Sequence, residues 1–324
     1  MGVNASVLAI DAGNSKTDVA LIDADGTILS TARGGGFQPP VVGVEAAVDA
    51  LGEIVGRVLA APGVPAGAVA HLSACLANAD LPVEEEQLAE ALRARGWSSS
   101  VEVYNDTFAI LRAGVDEPRG VAVVCGAGIN CVGMVPDGRT ARFPAIGRMS
   151  GDWGGGSGLA EEAMWFAARA EDGRGGPTEL ARTLPGHFGL DSMYALIEAL
   201  HLGRIGTERR HELTPVLFAT AVDGDPVATG LVHRLAEEIV AMASVALDRL
   251  GLLAEEVPVV LGGGVLAARH PMLDERIAEL LAARAPKAVV RVVTEPPVLG
   301  AALLALDRTK AAAEVHERLR AQYR

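Results

Sequence analysis

Short runs of apolar, branched residues alternate with amphipathic segments along the chain. Residues 7–10 and 19–22 are two such runs, and the Asp25-Gly26 pair that follows them is typical of a hairpin turn, so we predict that the chain opens as a β meander. Apolar residues then recur at helical spacing over residues 44–60, which predicts an amphipathic helix that ends at Pro62-Gly63.

The pattern continues as an alternation of strands and helices. A strand over residues 69–74, a helix over 83–95 and a strand over 101–104 are predicted, and this order indicates a parallel crossover connection. Strands at 121–125 and 131–135 then flank a second glycine-rich turn. Aligning Cys125 with Asp11 places two strand, turn, strand units 114 residues apart, which indicates two related α/β halves that arose by duplication.

The last third of the chain completes the predicted architecture. A long helix over residues 227–250 precedes a strand at 257–261, and a helix-like segment runs over 298–320. Since no low-complexity linker separates the halves, we predict an N-terminal domain over residues 1–116 and a C-terminal domain over 117–304. We expect the C-terminal helix, residues 305–324, to pack back on the first domain. The expected architecture is two lobes with a cleft.

Composition and charge exclude several classes of protein. Of the 324 residues, 50% are hydrophobic and 21% are charged, which excludes a disordered chain. The 28 Lys and Arg against 41 Asp and Glu give a net charge of -13, which disfavours binding to nucleic acid or to an anionic membrane. The three cysteines, Cys75, Cys125 and Cys131, form no CxxC pair, and no signal peptide is visible, so we predict a cytoplasmic protein.

The first glycine-rich turn carries chemistry suited to a polyphosphate with Mg²⁺. Asp11 ends the first predicted strand, and it is followed by Gly13, by the polar side chains of Asn14 and Ser15, and by Lys16. A carboxylate at a strand end, together with backbone amides that a ligand can approach closely, suits this chemistry. The segment lacks the GxxxxGK[ST] motif, and a hairpin can carry the same residues for turn geometry alone.

Asn105 and Asp106 lie where a predicted strand ends and an apolar helix begins at Phe108. Ligands of open α/β sheets bind at the carboxyl ends of strands, which favours a functional role for Asp106. The alternative interpretation is structural, with Asp106 as an N-cap carboxylate held by helix amides.

Three further glycine-rich segments are candidates for ligand contact, although each could also be a plain turn. Residues 126–130 follow a strand and offer backbone amides without bulky side chains. Residues 147–158 contain Asp152 as their only carboxylate and lead into a helix predicted to start near Leu159, as in a loop that holds a ligand at a helix N-terminus. Residues 262–264 follow a buried strand. The seven histidines show no metal-binding spacing, so no zinc site is expected.

Taken in order, these elements resemble the sugar kinase, heat-shock protein and actin superfamily. More narrowly, they resemble the BadF/BadG/BcrA/BcrD ATPase family, which includes N-acetylglucosamine kinases, over residues 7–305. The resemblance implies an α/β fold of two ribonuclease-H-like (actin-like ATPase) domains that flank a central ATP and sugar cleft. It also implies phosphoryl transfer from ATP, with Mg²⁺, to a sugar hydroxyl, which requires alignment, charge neutralisation and one carboxylate to orient the acceptor.

The resemblance implies a role for each motif. Asp106 would be the general base, and Asp11 and Asp106 would hold Mg²⁺. The sugar would contact Asn105, Asn130, Asp152, Gln38 and Ser150. Two phosphate loops and an adenosine loop would bind ATP through Gly13, Asn14, Ser15, Lys16, Thr17, Gly126, Ala127, Gly128, Gly262, Gly263 and Gly264.

Departures from the family pattern bear on the substrate. Ala127 and Ile129 stand where the family commonly has Thr and Ser, and Trp153 stands where acetamido-sugar kinases usually have Glu. The early sugar loop, residues 34–40, also differs. We therefore predict a kinase for the 6-hydroxyl of glucosamine, whose cationic amine suits an acidic pocket, ahead of N-acetylglucosamine and glucose. The resemblance also implies a homodimer.

Two other functions stay open. Activators of radical dehydratases and reductases, in the same family, share a [4Fe-4S] cluster across a dimer and would need exposed cysteine ligands, whereas Cys125 and Cys131 lie on predicted strands. A sugar sensor that has lost catalysis is the second alternative, motivated by Ala127 and Ile129. A regulator that reads DNA would normally add a basic helix-turn-helix segment, which the sequence does not offer.

Overall fold

A computed structural model describes residues 6–61, 69–98 and 100–324 of the protein. In the first part of the chain these residues form β1 (Ser6–Ala12), β2 (Lys16–Ile22), β3 (Ile28–Gly35), β4 (Val69–Leu76) and β5 (Val101–Asn105). Later strands are β6 (Gly120–Cys125), β7 (Ile129–Met134), β8 (Thr140–Arg142), β9 (Val257–Gly262) and β10 (Ala288–Val292).

The ten strands of the described residues form two five-stranded sheets with equivalent topology. The first sheet has the order β3-β2-β1-β4-β5, and the second has the order β10-β9-β6-β7-β8. Read from its other edge, the second order is the first with each strand number raised by five. The predicted α/β class and the predicted repeat of the opening strand, turn, strand unit are therefore confirmed.

The helices connect these strands. The described helices are α1 (Pro39–Val42), α2 (Val44–Leu59), α3 (Pro82–Ala94), α4 (Thr107–Gly114), α5 (Gly155–Glu171), α6 (Leu180–His187), α7 (Met193–His201), α8 (Leu213–Val222), α9 (Pro226–Leu250), α10 (Gly264–Ala267), α11 (Pro271–Arg284), α12 (Pro297–Arg308) and α13 (Ala313–Ala321). Short 3-10 turns cover Gly147–Ser150 and Thr207–Glu212. Among the described residues, no helix is both long enough and apolar enough to cross a membrane.

The chain forms two compact units. The first comprises the described residues of Met1–Ala122 with Val132–Pro144 and Arg291–Arg324, and the second comprises Val123–Cys131 with Ala145–Val290. The predicted domain boundaries at residues 116 and 304 stay predictions.

The core of the first unit explains why its strands consist of continuous runs of apolar residues. Leu8 of β1 packs in one buried cluster with Leu51 of α2 and Leu88 of α3. At Gly300 of α12, a Cβ atom would lie only 1.8 Å from the carbonyl oxygen of Ala109 in α4, so these two helices approach closely. Strands that are covered by helices have little need of polar positions.

The predicted single helix over residues 298–320 is wrong, because the structure has two helices there, α12 and α13. Lys310 adopts a left-handed conformation (φ +54), and the amide of Ala311 donates to the Leu306 carbonyl at 3.0 Å. Such a bond satisfies the last carbonyls of a helix and turns the chain away from its axis. Within the first unit, α13 is anchored by Gln322, whose amide donates to the Gly26 carbonyl at 2.8 Å.

Other differences concern boundaries. The helix predicted to start near Leu159 begins at Gly155 as α5, four residues earlier. The strands β8 and β10 and the helix α11 were not predicted. Residues 1–5, on which the predicted absence of a signal peptide partly depends, and the predicted helix stop at Pro62-Gly63 lie outside the described residues.

Candidate active site

Sheet register brings the predicted carboxylates to one edge of the first sheet. Asp11 of β1 pairs with Cys75 of the parallel strand β4, and Leu76 of β4 pairs with Asn105 of β5. The amide of Asp106 donates to the Leu76 carbonyl at 3.2 Å. Because all three strands end here, Asp11 and Asp106 lie at the same carboxyl edge, where ligands of such sheets bind.

Asp11 is a buried carboxylate, 7% exposed. Its pKa is raised to about 7, first by burial and then by the neighbouring charges of Asp106 and Asp18, while Lys16 and Arg33 oppose this rise. The raised pKa means that the ionised carboxylate lacks sufficient compensation from its surroundings. A bound cation would supply that compensation.

Asp106 is half-buried at the start of α4. Burial raises its pKa to about 6, against the lowering effect of hydrogen bonds from Thr107. A carboxylate with such a pKa is mostly ionised at neutral pH and is a stronger base than an exposed one. It can therefore accept a proton from a reacting hydroxyl.

The donor set at this edge fits Mg²⁺. In the described part of the chain, no group of three or more His, Cys, Asp or Glu residues could enclose a metal ion. Mg²⁺ commonly keeps several waters and binds through one or two carboxylates together with substrate phosphates. Two neighbouring carboxylates, Asp11 and Asp106, match that mode of binding.

The first glycine-rich turn presents polar groups to solvent. The amide of Gly13 donates to the Lys16 carbonyl at 2.9 Å, which closes the turn, and Asn14, Ser15 and Lys16 are exposed. Thr17, also predicted to bind ATP, is 2% exposed and belongs to the buried part of β2. Of the four side chains of this turn that were predicted to bind ATP, three are therefore exposed to solvent.

The turn is supported by contacts that sequence motifs do not reveal. Gln38, predicted to contact the sugar, donates from Nε2 to the Asn14 carbonyl at 2.9 Å. Asn78 donates from Nδ2 to Asn14 Oδ1 at 3.0 Å. At Gly36, a Cβ atom would lie 2.0 Å from the Asn14 carbonyl oxygen, so only glycine allows this approach. Gln38 thus stabilises the first glycine-rich turn, and its contact with the sugar stays a prediction.

Asp106 occupies the N-cap position of α4, but the side chain that bonds to the first amide of this helix is that of Asn105. The amide of Thr107 donates to Asn105 Oδ1 at 3.0 Å, whereas the Asp106 side chain makes no N-cap hydrogen bond. The structural alternative for Asp106, an N-cap carboxylate held by helix amides, is therefore not supported by a cap hydrogen bond, although Thr107 bonds to this carboxylate and lowers its pKa. Asn105 is 2% exposed, and its Nδ2 donates to Asp80 Oδ1 at 2.8 Å. Asp80 was missed because it lies in a loop without a recognisable motif.

In the second unit, the turn 126–128 is built against the start of α5. The amide of Gly126 donates to the Gly128 carbonyl at 2.9 Å, so this amide is used within the turn. Gly156 donates to the Gly126 carbonyl at 2.7 Å. A Cβ atom at Gly155 (φ +72) would lie 2.5 Å from the Ala127 carbonyl oxygen, which explains why the helix begins on glycine.

A cavity of about 240 Å³ joins this turn to the glycine-rich segment that carries Asp152. Its lining includes Ala127, Gly128, Arg148 and Asp152. Ser150 donates from Oγ to Asp152 Oδ2 at 2.6 Å and so orients that carboxylate.

The predicted sugar ligand Asn130 is held within its own strand, whereas Trp153 lines this cavity. Asn130 Oδ1 accepts from the Cys131 amide at 2.7 Å, so the side chain is held against its own backbone. Trp153, which replaces the usual Glu, lines the cavity and is 8% exposed, and the Arg234 guanidinium lies 4.1 Å from its ring centroid. Burial raises the pKa of Glu238, with a contribution from Asp152 and opposition from Arg234. The surroundings of Asp152 are therefore both apolar and charged.

A second cavity of the same unit, about 420 Å³, is suited to a flat heterocycle. It is lined by Gly126, Ala127 and Gly264 from the predicted ATP-binding set, and also by Phe218 and His270. The last two rings stack at 4.0 Å between centroids, with an angle of 6° between their planes. Neither ring was predicted to line a site, because the two come from separate helical segments.

The loop of residues 262–264, which is predicted to bind adenosine, requires glycine at position 263. The φ of Gly263 is +85, and a Cβ atom would lie 2.5 Å from the carbonyl oxygen of Cys125. Gly262 ends β9 and Gly264 begins α10, so the glycine run allows an abrupt change from strand to helix beside the second cavity.

Two kinases of known name match nearly the whole chain. A kinase named for N-acetylmuramic acid and N-acetylglucosamine, from Clostridium acetobutylicum, is 24% identical over 299 residues, which cover 92% of this chain and 97% of the relative. An N-acetyl-D-glucosamine kinase from Dictyostelium discoideum is 25% identical over 319 residues, covering 94% and 98%.

The fold has solved counterparts. A structure from Chromobacterium violaceum, described as a "Putative N-acetylglucosamine Kinase", superposes with a TM-score of 0.70 at 24% identity and covers 94% of this chain and 100% of its own. A ROK family glucokinase from Streptomyces griseus, in complex with glucose and AMPPNP, has a TM-score of 0.56 at 18% identity and covers 93% and 99%. The fold is thus that of actin-like sugar kinases. Residues 8–305 match the BadF/BadG/BcrA/BcrD ATPase family, and the chain belongs to that family.

Proposed function

We propose that the protein is an ATP-dependent amino-sugar kinase in which Asp106 is the general base. The observation that carries this proposal is the Asp106 carboxylate, which lies beside Asp11 at the carboxyl edge of the first sheet and makes no N-cap hydrogen bond. The family is one of ATPases, and both curated relatives are named as kinases of N-acetylated amino sugars.

The residues have separate tasks in this reaction. Asp106 accepts the proton of the attacking sugar hydroxyl as the γ-phosphoryl group transfers. Asp11 and Asp106 would hold Mg²⁺, which supplies charge neutralisation on the phosphate oxygens when it is bound. The exposed side chains of Asn14, Ser15 and Lys16 bind phosphate oxygens.

The nucleotide and sugar are assigned to the two cavities of the second unit. The cavity of about 420 Å³ receives adenosine between its glycine-lined wall and Phe218 with His270. The cavity of about 240 Å³ holds the sugar against Asp152, whose carboxylate accepts from sugar hydroxyls. Ala127 offers no side-chain hydroxyl, so backbone groups carry the phosphate contacts there.

The preferred sugar within this proposal is glucosamine, phosphorylated at its 6-hydroxyl. Asp152 lines the proposed sugar cavity and Glu238 lies near it, and their negative charge favours a cationic amine, whereas Arg148 in the same lining opposes it. The names of the two curated relatives favour an N-acetylated sugar instead. A direct comparison of the two sugars decides between them. The cytoplasmic location and the homodimer stay predictions.

Release of ADP from Mg-ATP tests the proposal. We would measure it with glucosamine, N-acetylglucosamine, glucose and no sugar, using the wild type, Asp106→Asn and the exposed control Asp25→Asn. We expect one amino sugar to give rapid release, and Asp106→Asn to lower kcat about a hundredfold or more at an unchanged melting temperature, because the proton acceptor is lost.

The contrary outcomes point to the alternatives. Near-normal turnover by Asp106→Asn removes the general base from the proposal. ADP release that no sugar stimulates favours an activator, and absence of release favours a sensor. The buried state of Cys125 and Cys131 disfavours the activator, because a shared cluster needs accessible thiolates and burial raises the pKa of both thiols.

A further inference from the structure

Asp80 lies near the carboxylates of the proposed active site, in the loop between β4 and α3. It is half-buried, and burial raises its pKa to about 7, with contributions from the charges of Asp106 and Glu84. Most loop aspartates face water, because burying a carboxylate costs free energy unless protein groups bond to it. Its position therefore demands a structural or functional reason.

The backbone of Asp80 is fixed from two directions. Glu84 accepts through Oε2 from the amides of Asp80 and Leu81, at 3.0 and 2.9 Å. Arg142 donates from Nη2 to the Asp80 carbonyl at 3.1 Å, and its Nη1 holds both carboxylate oxygens of Glu85 at 2.8 Å. The backbone that carries the Asp80 carboxylate is consequently held in place by other protein groups.

The carboxylate of Asp80 determines how the buried Asn105 amide is oriented. Asp80 Oδ1 accepts from Asn105 Nδ2 at 2.8 Å, and Asn105 Oδ1 accepts from the Thr107 amide at 3.0 Å. A rotation of the amide by half a turn would place Nδ2 against the Thr107 N–H and Oδ1 against the Asp80 carboxylate. Only the observed orientation satisfies both neighbours.

Asp106 lies between the two residues that this arrangement connects. Asn105 precedes it and Thr107 follows it, while its own amide donates to the Leu76 carbonyl at 3.2 Å. Fixing Asn105 and the first amide of α4 therefore fixes the backbone from which the Asp106 carboxylate projects.

We infer that Asp80 is a positioning residue, which acts through Asn105 to orient the Asp106 carboxylate for proton transfer. The expected effect of Asp80 on kcat rests on the proposed function. The expected effect of Asp80 on the orientation of Asn105 and Asp106 does not. It also gives Asn105 a role in positioning rather than in direct sugar contact, since both ends of its buried amide bond to protein.

The test compares Asp80→Ala, which removes the acceptor, with Asp80→Asn, whose Oδ1 can still accept from Asn105. We expect Asp80→Ala to lower kcat about 10- to 100-fold, the scale of a misplaced catalytic group, while KM for the sugar stays within about twofold. Asp80→Asn recovers most of that loss. Glu86→Ala, an exposed carboxylate on α3, is the matched control. Asp80→Ser, too short to reach Asn105, replaces Asp80→Ala if the latter does not fold.

Three kinetic results would overturn the inference. Unchanged kcat in Asp80→Ala removes the positioning role, a raised KM with unchanged kcat makes Asp80 a sugar ligand, and an equal loss in Asp80→Asn means that charge, not the hydrogen bond, matters. A crystal structure of Asp80→Ala provides a test that needs no kinase activity. We expect Asn105 to rotate and the Asp106 carboxylate to shift, and unmoved side chains would contradict the inference even if the proposed function fails.

Discussion

The ion pair between Arg112 of α4 and Asp307 of α12 offers a quantitative test of the first unit. Arg112 is 1% exposed, and its Nε and Nη2 donate to the two oxygens of Asp307 at 2.6 and 3.1 Å. Its Nη1 donates to the Val115 carbonyl at 2.9 Å. The change Asp307→Asn keeps the shape of the side chain, but it removes the negative charge and turns one acceptor into a donor.

The expected cost follows from the burial of the arginine. Breaking a buried pair by removing one partner costs about 3–5 kcal/mol, because the remaining charge stays out of water. Since the Asp307 side chain is 24% exposed, water can partly compensate, and we expect the lower end of that range, about 3 kcal/mol. This corresponds to a change of roughly a hundredfold in the equilibrium between folded and unfolded protein.

Urea unfolding followed by circular dichroism at pH 7.5 measures this difference. The control is Asp116→Asn, whose carboxylate is 85% exposed and should change the free energy of unfolding by less than about 0.5 kcal/mol. The double change Arg112→Met with Asp307→Leu should recover much of the lost stability, because it leaves no unpaired charge. A loss below about 1 kcal/mol in Asp307→Asn would refute the reasoning.

Two further predictions concern pH and backbone geometry. His316 Nε2 lies 3.0 Å from Asp307 Oδ1, and this hydrogen bond raises the His316 pKa, so its stabilising contribution is complete below about pH 6.5 and is lost as pH rises through the raised value. The difference in unfolding free energy between wild type and His316→Ala should therefore be larger at pH 6 than at pH 9, and an equal difference would contradict this. Gly263→Ala should destabilise the protein by about 2 kcal/mol or more, because its φ is +85 and the new Cβ meets the Cys125 backbone, whereas Gly264→Ala, with open space around it, should cost less than about 1 kcal/mol. Thermal unfolding of the two variants side by side checks this, and equal melting temperatures would argue against it.

Much of the candidate site could be predicted because each of its motifs lies within a few consecutive residues. An apolar run that ends in a carboxylate and a glycine, as at Asp11, marks a strand end wherever the strand lies in the sheet. Asn105 and Asp106 follow the same rule at the end of β5. Parallel register then places these ends side by side, so the order of motifs along the chain was enough to predict the carboxyl edge.

Other parts depend on contacts between distant segments. The support of the first turn by Gln38 joins residues 24 positions apart, and the bond from Asn105 to Asp80 joins residues 25 apart. Neither Asp80 nor Gln38 carries a local signal of its partner. The break between α12 and α13 was missed because helical periodicity continues through Lys310, while the left-handed turn there is stabilised by bonds that end α12.

By itself the sequence determined the α/β class, the repeated strand, turn, strand unit and the residue types available at each turn, since these depend on side-chain periodicity and on the conformational freedom of glycine. Only the tertiary structure decided which of those groups are buried and which are paired. Burial and pairing determine the chemistry of these groups. A carboxylate becomes a stronger base, or a ligand that favours a bound cation, only when folding removes water and brings other charges close to it. Asp106 and Asp11 acquire their raised pKa values in this way, and no pattern within either segment specifies them.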